Sequence, residues 1–337
     1  MSQARGTHSK GRLSRRKFLS AAAGTPVATR LFLRPASAAG ETVRVGFPLS
    51  DHYAPVYVAK EKGFFADAGV QIEFKNFVTG GPVVEGLASQ SMDIGFLGTP
   101  GVIAVARKFP LTSVMGIALE GSGIVVKRGG IESVDALVGK SVGLPARGSI
   151  AHLLLLRALT NANIAPDRIR IVEIGDLEGL RLGLLRGEIE AAAIWEPWVS
   201  QYEQSSELRR LALSHDIWPH HQCDFMWVGT AFLKQRPDAV KAVIDAVLKG
   251  MLEIQKNFDG SAKVLSTALK MPAEIEPLSM HRQEFTHVLQ KENIGDQYAL
   301  LRQVGIVKAD DVPPWERLVD TEMYAYANQQ WNALKQG

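Results

Sequence analysis

Five short segments of this sequence lie where a strand-like pattern gives way to a helix-like one: residues 48–52, 79–81, 98–101, 146–149 and 195–198. The N–H groups in the first turn of a helix have no intrahelical partner, and they carry the positive end of the helix dipole. Such helix starts are typical of sites for oxyanions. The segments are rich in glycines and hydroxyls and poor in fixed charges, so they predict an anion site held mainly by neutral donors.

Within these segments, Thr99 and Ser149 are expected to donate hydroxyl hydrogen bonds to the anion. Arg147 either pairs with the anion or faces solvent, and His52 either contacts the ligand or caps the next helix. Trp195 forms a wall of the site or ordinary core. The candidate ligand-binding residues are Ser50, Asp51, His52, Gly80, Gly98, Thr99, Arg147, Gly148, Ser149, Trp195 and Glu196.

Patterns that would indicate an enzyme or a metal protein are weak. Ser149 does not stand in a G-x-S-x-G segment, and residues 121–123 are too short for a phosphate loop. Residues 220–224 read HHQCD, but adjacent histidines point apart and no second His/Cys cluster is near in sequence. We therefore expect no catalytic residues, no metal and no cofactor.

Strand-like and helix-like patterns alternate through the first two thirds of the chain, which favours sheets of mostly parallel strands with helices on their faces. Residues 42–47, 71–74 and 93–97 are predicted strands. Residues 55–62 and 100–108 are predicted helices, and residues 80–82 are expected to open another. After Val228 the pattern becomes helical, with helices predicted over residues 237–254, 260–269, 280–290 and 315–334.

One sequence pattern, the repeated phrase of this chain, occurs twice. A Glu-Gly-Leu begins at Glu85 and again at Glu178, and each is followed by a helix, an acidic residue and a buried strand. Met92 and Ile189 occupy equivalent places, 97 residues apart. The repetition predicts two similar α/β lobes: residues 39–122 with 225–337, and residues 123–224. Residues 111–126 and 224–230 would then be the crossings between the lobes, and therefore the hinge.

The first 38 residues have the features of an export signal, because a twin-arginine pattern at residues 14–19 precedes a modest apolar stretch and the small residues Ala36 and Ala38. These residues hold eight of the 38 basic residues and none of the 35 acidic ones, so the mature chain carries a formal charge of −5. The acidic balance removes the compositional support for nucleic-acid binding. Cys223 is the only cysteine, which excludes an intrachain disulfide.

Three stretches resemble the nitrate/sulfonate/taurine substrate-binding proteins of ABC importers: DIGFLGTP from Asp93, GSIAHLLLLRAL from Gly148 and IWEPW from Ile194. The second most resembles the aliphatic-sulfonate branch. The resemblance implies a type II periplasmic binding protein, with two α/β lobes, a helical C-terminal tail and no chemistry performed. It implies a small anionic organic solute and an inner-membrane ABC permease with its ATPase as partners. Together with the export signal, these features predict a periplasmic monomer exported by the twin-arginine translocase.

The segment SDHYAP from Ser50 is bulkier and more polar than the glycine-rich loop expected in that branch. A site with Asp51, His52 and Glu196 would favour a solute with a cationic or hydrogen-bonding end, such as an aminosulfonate. Two alternatives remain at this point. One is a receptor for a pyrimidine precursor or an aromatic acid on the same scaffold, and the other is a cofactor enzyme exported through the twin-arginine pathway.

Overall fold

The computed structural model describes residues 42–336, so the predicted signal peptide of residues 1–38 lies outside the described part of the chain. Within that part, no helix has the length and hydropathy needed to cross a bilayer. The strands are β1 (Thr42–Pro48), β2 (Gln71–Phe77), β3 (Ile94–Leu97), β4 (Leu111–Glu120), β5 (Ser122–Lys127), β6 (Ser141–Leu144), β7 (Arg170–Glu173), β8 (Ala191–Trp195), β9 (Leu208–Leu213), β10 (Gln222–Gly229) and β11 (Gln283–Phe285).

Helices follow most of the strands and make up nearly all of the C-terminal region. They are α1 (Ala54–Glu61), α2 (Phe64–Asp67), α3 (Gly81–Ala88), α4 (Thr99–Ala106), α5 (Ile150–Asn161), α6 (Leu177–Arg186), α7 (Trp198–Glu203), α8 (Ser214–Ile217), α9 (Thr230–Gln235), α10 (Pro237–Lys256), α11 (Phe258–Leu269), α12 (Ile275–Met280), α13 (Lys291–Gln303), α14 (Trp315–Leu318) and α15 (Thr321–Gln336). A short 3-10 turn, Asp51–Tyr53, precedes α1.

The strands form two mixed sheets. The first sheet has the order β11-β4-β10-β3-β1-β2 and the second has the order β7-β6-β8-β5-β9. In the first sheet β1, β2 and β3 are parallel, as are β6, β7 and β8 in the second. The antiparallel strands β10 and β5 extend these parallel units. The two sheets agree with the predicted α/β class.

The 97-residue repeat is visible in the register of the strands. Val45 pairs with Ile94 in the first sheet, and Val142 pairs with Ala191 in the second, an offset of 97 at both positions. The hydrogen bonds repeat as well. The carboxylate of Asp93 accepts from the backbone N–H of Arg44 at 2.8 Å, and that of Glu190 accepts from Ser141 at 2.7 Å. In each sheet, the acidic residue that precedes one strand therefore ties the start of that strand to the backbone of the neighbouring parallel strand.

Two connections carry the chain between the sheets. Gly121 alone separates β4 of the first sheet from β5 of the second, and α8 with the following turn connects β9 to β10. The strand β10 begins at Gln222, so Gln222 to Asp224 are paired in the first sheet. The lobe boundaries given above remain a prediction.

The C-terminal helices differ from the sequence-based assignment in several places, and α12 and α13 were not predicted. Residues 280–290 are not a helix, because Gln283–Phe285 pair with the edge of β4 and form β11. The predicted helix 315–334 is interrupted where Val319 bridges to Ser113 and Asp320 caps the next helix. In both cases the unpaired backbone edge of β4, distant in sequence, offers hydrogen bonds that compete with a local helix.

The long amphipathic helix α10 supports the turn that holds the candidate site. It packs against α1, and both contribute to the apolar core on one face of the first sheet. A Cβ added at Gly250 would lie 2.1 Å from the carbonyl oxygen of Pro55, so a side chain at residue 250 would push the two helices apart. This close approach fixes the start of α1 and, with it, residues 51–53.

Candidate functional site

The loops that follow β1 and β8 meet between the two sheets. The Ser50 hydroxyl donates to the carbonyl oxygen of Glu196 at 3.0 Å, and the Trp195 indole donates to that of Leu49 at 3.2 Å. Ser50 also accepts from the backbone N–H of His52 and so caps the turn that begins at Asp51. The structure thus brings together five of the predicted site residues, which come from both sheets.

Gly121, at the crossing from β4 to β5, lies at the centre of this junction. Its carbonyl oxygen accepts from His52 Nε2 at 2.9 Å and from the backbone N–H of Glu196 at 2.9 Å. Its own N–H donates to the carbonyl oxygen of Arg282 at 3.2 Å. With φ of +76°, and with His52 Nε2 only 2.4 Å from an added Cβ, the position has no room for a side chain.

His52 forms a buried ion pair with Asp224, with 2.9 Å between His52 Nδ1 and Asp224 Oδ2 and less than 4% of either side chain exposed. Burial opposes the charged imidazole, but the hydrogen bond and charge of Asp224, with Asp51 and the Gly121 carbonyl, outweigh it and raise the pKa of His52. Burial also opposes the charge of Asp224, yet His52 and Tyr53 lower its pKa. Because both His52 nitrogens face acceptors, the ring is a doubly protonated cation.

Cys223 completes the one group of potential metal ligands found among residues 42–336. Its Sγ lies 3.6 Å from His52 Nδ1, and ligand atoms of His52, Cys223 and Asp224 all lie within 4.8 Å of one another. His52 already donates through both nitrogens, and burial raises the pKa of Cys223 well above its ordinary value. A metal needs a free imidazole lone pair and a thiolate, so this group is better described as a hydrogen-bonded ion pair.

A second polar cluster surrounds Asp51, at the place where its turn contacts α12. The Ser279 hydroxyl donates to Asp51 Oδ2 at 2.5 Å and lies 3.4 Å from Glu276 Oε2. Burial, partly offset by His52 and Ser279, raises the pKa of Asp51. Burial and the nearby charges of Asp51 and Glu196 raise the pKa of Glu276 to about 9. Glu276 therefore holds a proton at neutral pH.

Glu196 is the fourth buried carboxyl group of the junction, and it has partners of its own. Its Oε1 accepts from Arg282 at 2.8 Å, and its Oε2 accepts from the backbone N–H of Ser200 at 2.9 Å. Burial and Asp51 raise the pKa of Glu196 to about 7, although Arg282 favours the charged form. Arg282 also pairs with Glu203, so this cation is shared between two carboxylates.

Replacing Glu276 with glutamine should raise the free energy of unfolding at pH 8 by about 2 kcal/mol or more and change it little at pH 5. A carboxyl group whose pKa is raised from 4.5 to about 9 gives its stabilisation fully below pH 4.5 and loses it as the pH rises toward 9. The neutral amide does not titrate. Urea unfolding at the two pH values measures the difference.

The exposed Glu274, two residues away, gives the matched control, because Glu274→Gln makes the same charge change outside the cluster. A Glu276→Gln variant with the same pH dependence as the wild type would show that Glu276 is ionised in the folded protein.

The start of α4 lies beside the junction. Gly98 precedes Thr99, and an added Cβ at Gly98 would lie 2.5 Å from the carbonyl oxygen of Cys223. Gly80, at the start of α3, packs against Pro100 in the same way, with 3.0 Å from its added Cβ to Pro100 Cγ. Thr99 is fully buried, and its hydroxyl reaches Gln297 only at 3.5 Å. Its hydrogen-bonding capacity is therefore weakly used.

The start of α5 belongs to the second sheet and contacts α4. Gly148 has φ of +77°, and its added Cβ would lie 2.7 Å from Ile103 Cδ1 in α4. Ser149 caps α5, since its hydroxyl accepts from the backbone N–H of His152 and donates to the carbonyl oxygen of Ala146. The start of α5 in the second sheet thus packs against α4 of the first, at Ile103.

Arg147 and His152 occupy different environments around this turn. Arg147 is exposed, and its guanidinium contacts the carbonyl oxygen of Ile171 in β7. His152 is buried, and burial together with Arg147 lowers its pKa to about 4. Its Nδ1 accepts from the backbone N–H of Gly148, so the neutral ring carries its proton on Nε2.

Several junction residues were not among the sequence-based candidates. Glu276, Ser279, Arg282 and Gln283 come from a region whose strand β11 was expected to be helical, and no motif marks them. Asp224 was considered as part of the HHQCD segment and of the predicted crossing at residues 224–230, but not as a site residue. The glycines of the Gly-Ser-Gly segment at residues 121–123, between two apolar strand-like runs, were the available signal for Gly121.

Comparison with known proteins finds a family and several relatives that this chain matches. The family described as NMT1/THI5 like matches residues 50–259. A putative aliphatic sulfonates-binding protein of Bacillus subtilis is 27% identical, covering 66% of this chain and 68% of that protein. The taurine-binding periplasmic protein of Escherichia coli is also 27% identical, covering 67% and 68%.

Solved structures show the same fold. The periplasmic aliphatic sulphonate binding protein SsuA of Escherichia coli superposes with a TM-score of 0.71 at 21% identity, covering 84% of this chain and 99% of that one. The periplasmic nitrate-binding protein NrtA of Synechocystis PCC 6803 gives a TM-score of 0.74 at 18% identity, covering 86% and 89%. The fold is that of the periplasmic binding proteins.

Proposed function

Because this chain belongs to the NMT1/THI5-like family, we propose that it is the periplasmic solute-binding component of an ABC importer. Its relatives are binding proteins of ABC import systems, and the chain is a binding protein rather than an enzyme. The proposed solute is an aliphatic sulfonate, a taurine-like compound or a related small oxyanion of the nitrate and bicarbonate class.

One observation carries the solute class. The start of α5 lies against α4, because Gly148 packs against Ile103 in the second turn of that helix. Both helices offer first-turn N–H groups and the positive ends of their dipoles, which favour an oxyanion between them. Thr99 adds a buried, weakly engaged hydroxyl, whereas Ser149 acts by capping α5 and so placing its N–H groups. The site is held by neutral donors, with Arg147 directed elsewhere.

The contacts between the loops after β1 and β8 suggest how binding is communicated. Ser50 and Glu196, and likewise Leu49 and Trp195, hydrogen-bond between the two sheets. If residues 39–122 with 225–337 and residues 123–224 are the two lobes, these contacts belong to the closed form. Closure around the solute would then present both lobes to the permease in one fixed arrangement.

Export and partners follow from the same proposal. The twin-arginine pattern of the first 38 residues would direct a folded chain to the periplasm, where it acts as a monomer. An inner-membrane permease and its ATPase would receive the solute. Export with the two arginines at positions 15 and 16 replaced by lysine tests this route, since the twin-arginine translocase requires the pair.

A ligand screen by thermal shift tests the solute class. The panel contains taurine, alkanesulfonates, nitrate, bicarbonate and a hydroxymethylpyrimidine. A ligand present at 100 times its Kd stabilises the folded protein by about 2.7 kcal/mol, which raises the Tm measurably. We expect a shift with at least one sulfonate. No shift with any oxyanion, or a shift with the pyrimidine alone, would refute the proposed solute class.

Thr99→Val and Ser149→Ala should each weaken sulfonate binding by about 1–3 kcal/mol, because each removes a donor or misplaces the N–H groups that face the anion. Titration calorimetry measures the change. Asn257→Ala is the matched control, since Asn257 caps α11 as Ser149 caps α5 but lies among the C-terminal helices. Unchanged affinity in both site variants would mean that the anion binds elsewhere.

A further inference from the structure

The polar cluster around Asp51 has more buried acceptors than donors. Asp51 Oδ1, Glu276 Oε1 and both amide atoms of Gln283 are buried without a hydrogen-bond partner, although Asp51 and Glu276 are themselves fully buried. The Gln283 amide lies near enough to Asp51 to lower the pKa of that carboxyl, but it makes no hydrogen bond of ordinary geometry. Burying a polar atom without a partner is costly, so each of these atoms requires a missing partner.

The single hydroxyl of the cluster cannot supply those partners. Ser279 has one hydroxyl proton, which goes to Asp51 Oδ2 at 2.5 Å, so it cannot also serve Glu276. Within residues 42–336, no lysine or arginine forms an ion pair with Asp51 or Glu276. Arg282 is engaged by Glu196 and Glu203, and His52 is engaged by Asp224.

We propose that Asp51, Glu276 and Gln283 form a subsite for a primary ammonium group at one end of the solute. A primary ammonium has three N–H donors, and the cluster offers three unpartnered acceptors: Asp51 Oδ1, Glu276 Oε1 and the Gln283 amide oxygen. The inference rests on the proposed function, and it narrows the solute class to aminosulfonates.

The position of the cluster agrees with a solute held at both ends. Asp51 directly follows Ser50, whose hydroxyl contacts the loop after β8, and the carboxyl ends of β1 and β8 border the place where the sheets meet. In open parallel sheets, ligands bind at this edge. An anionic end at the starts of α4 and α5 and a cationic end at Asp51 would therefore lie along the same edge.

Binding would exchange a proton for the ammonium group. The groups that face Glu276 are Asp51, Glu196 and Tyr57, and no cation is bonded to Glu276 in the described residues. Its pKa of about 9 means that the protein without solute carries a proton there at pH 7. An ammonium group bound beside Glu276 favours the ionised carboxylate, so the proton of Glu276 is released into solvent.

Calorimetry with taurine, ethanesulfonate and ethylamine tests the proposal, because ethanesulfonate lacks only the amino group of taurine. We expect the wild type to bind taurine about 10-fold or more tightly than ethanesulfonate, as a charge-assisted hydrogen bond requires. Taurine binding should release a proton at pH 7, detected by repeating the titration in buffers of different ionisation enthalpy. Ethanesulfonate binding should release none.

Two variants should remove the preference for taurine over ethanesulfonate. In Asp51→Asn and Glu276→Gln, taurine and ethanesulfonate should bind within about 3-fold of each other. Glu274→Gln, on the exposed side of the same region, should keep the preference. Urea unfolding of each variant establishes that it is folded.

The outcomes separate this inference from the proposed function. Equal affinity for taurine and ethanesulfonate in the wild type, or a preference that survives in both variants, would overturn the subsite and leave the sulfonate proposal intact. Binding of ethylamine with no binding of either sulfonate would support the subsite and overturn the sulfonate proposal. Failure of all three probes to bind would overturn the subsite and the sulfonate part of the proposed function.

Discussion

His52→Ala should lower the free energy of unfolding by about 3–5 kcal/mol, because it leaves the charge of Asp224 buried without its cation. In the wild type the two side chains are 2.9 Å apart and almost completely buried. The alanine variant also removes the hydrogen bond to the Gly121 carbonyl, which ties residues 51–53 to the crossing between the sheets. Urea unfolding followed by far-UV circular dichroism at pH 6 measures the loss.

His215→Ala is the matched control. His215 also contacts an acidic residue, with 3.3 Å from its Nδ1 to Glu120, but its side chain is 67% exposed. Solvent screens that pair, so its removal should change the stability little. In the double variant His52→Ala/Asp224→Asn, the buried charge is gone and part of the loss should be recovered. A His52→Ala variant as stable as His215→Ala would show that His52 is neutral in the folded protein.

The same ion pair sets a pH window. The pKa of His52 is raised on folding, so its contribution is complete below the ordinary pKa of about 6.5 and is lost as the pH rises through the folded value. The pKa of Asp224 is lowered, so its contribution is complete above about 3.8 and is lost as the pH falls through the folded value. The pair therefore stabilises the protein most between these two pH values.

Gly121→Ala should lower the free energy of unfolding by about 3 kcal/mol or more. A φ of +76° costs an alanine about 1–2 kcal/mol, and the new Cβ would lie 2.4 Å from His52 Nε2. His52 would have to move, and its buried N–H would lose the Gly121 carbonyl, which adds about 1–3 kcal/mol. Since the same carbonyl also accepts from Glu196, the change would loosen contacts from both sheets and weaken solute binding.

Gly129→Ala separates the backbone effect from the contact effect. Gly129 has a similar φ of +71°, but no atom lies within 4 Å of its added Cβ. Gly129→Ala should cost only the backbone strain and leave solute binding unchanged. Urea unfolding and solute binding, measured on both variants, separate the backbone strain from the contact with His52. Equal losses of stability would mean that His52 adapts to the extra methyl group without cost.

Local patterns were sufficient to predict the elements that begin the fold. The alternation of Val43, Val45 and Phe47 gives β1, and glycine followed by proline at residues 81 and 82 gives the start of α3. The helix starts at Thr99 and Ile150 were predicted from hydroxyls and glycines at the ends of strand patterns. These features depend on residues only a few positions apart, so the sequence alone predicts them.

The sequence was insufficient where a backbone edge distant along the chain competes with local preference. Residues 283–285 have a helix-compatible pattern, but the edge of β4, more than 160 residues earlier, provides backbone partners that make them a strand. Arg282 and Gln283 reach the junction only because of this pairing. A prediction based on periodicity cannot detect it, since both conformations satisfy the local apolar pattern.

By itself the sequence determined the α/β class, the 97-residue repeat and the helix starts, because each follows from short-range spacing. Only the tertiary structure decided which polar and charged groups meet. Asp51 and Ser279 are 228 residues apart in the chain, and His52 and Cys223 are 171 apart. The charge state of a buried carboxyl or imidazole depends on its distance from such partners and on its removal from water. Neither quantity exists until the two sheets are folded together, so the ionic character of this site is a property of the fold.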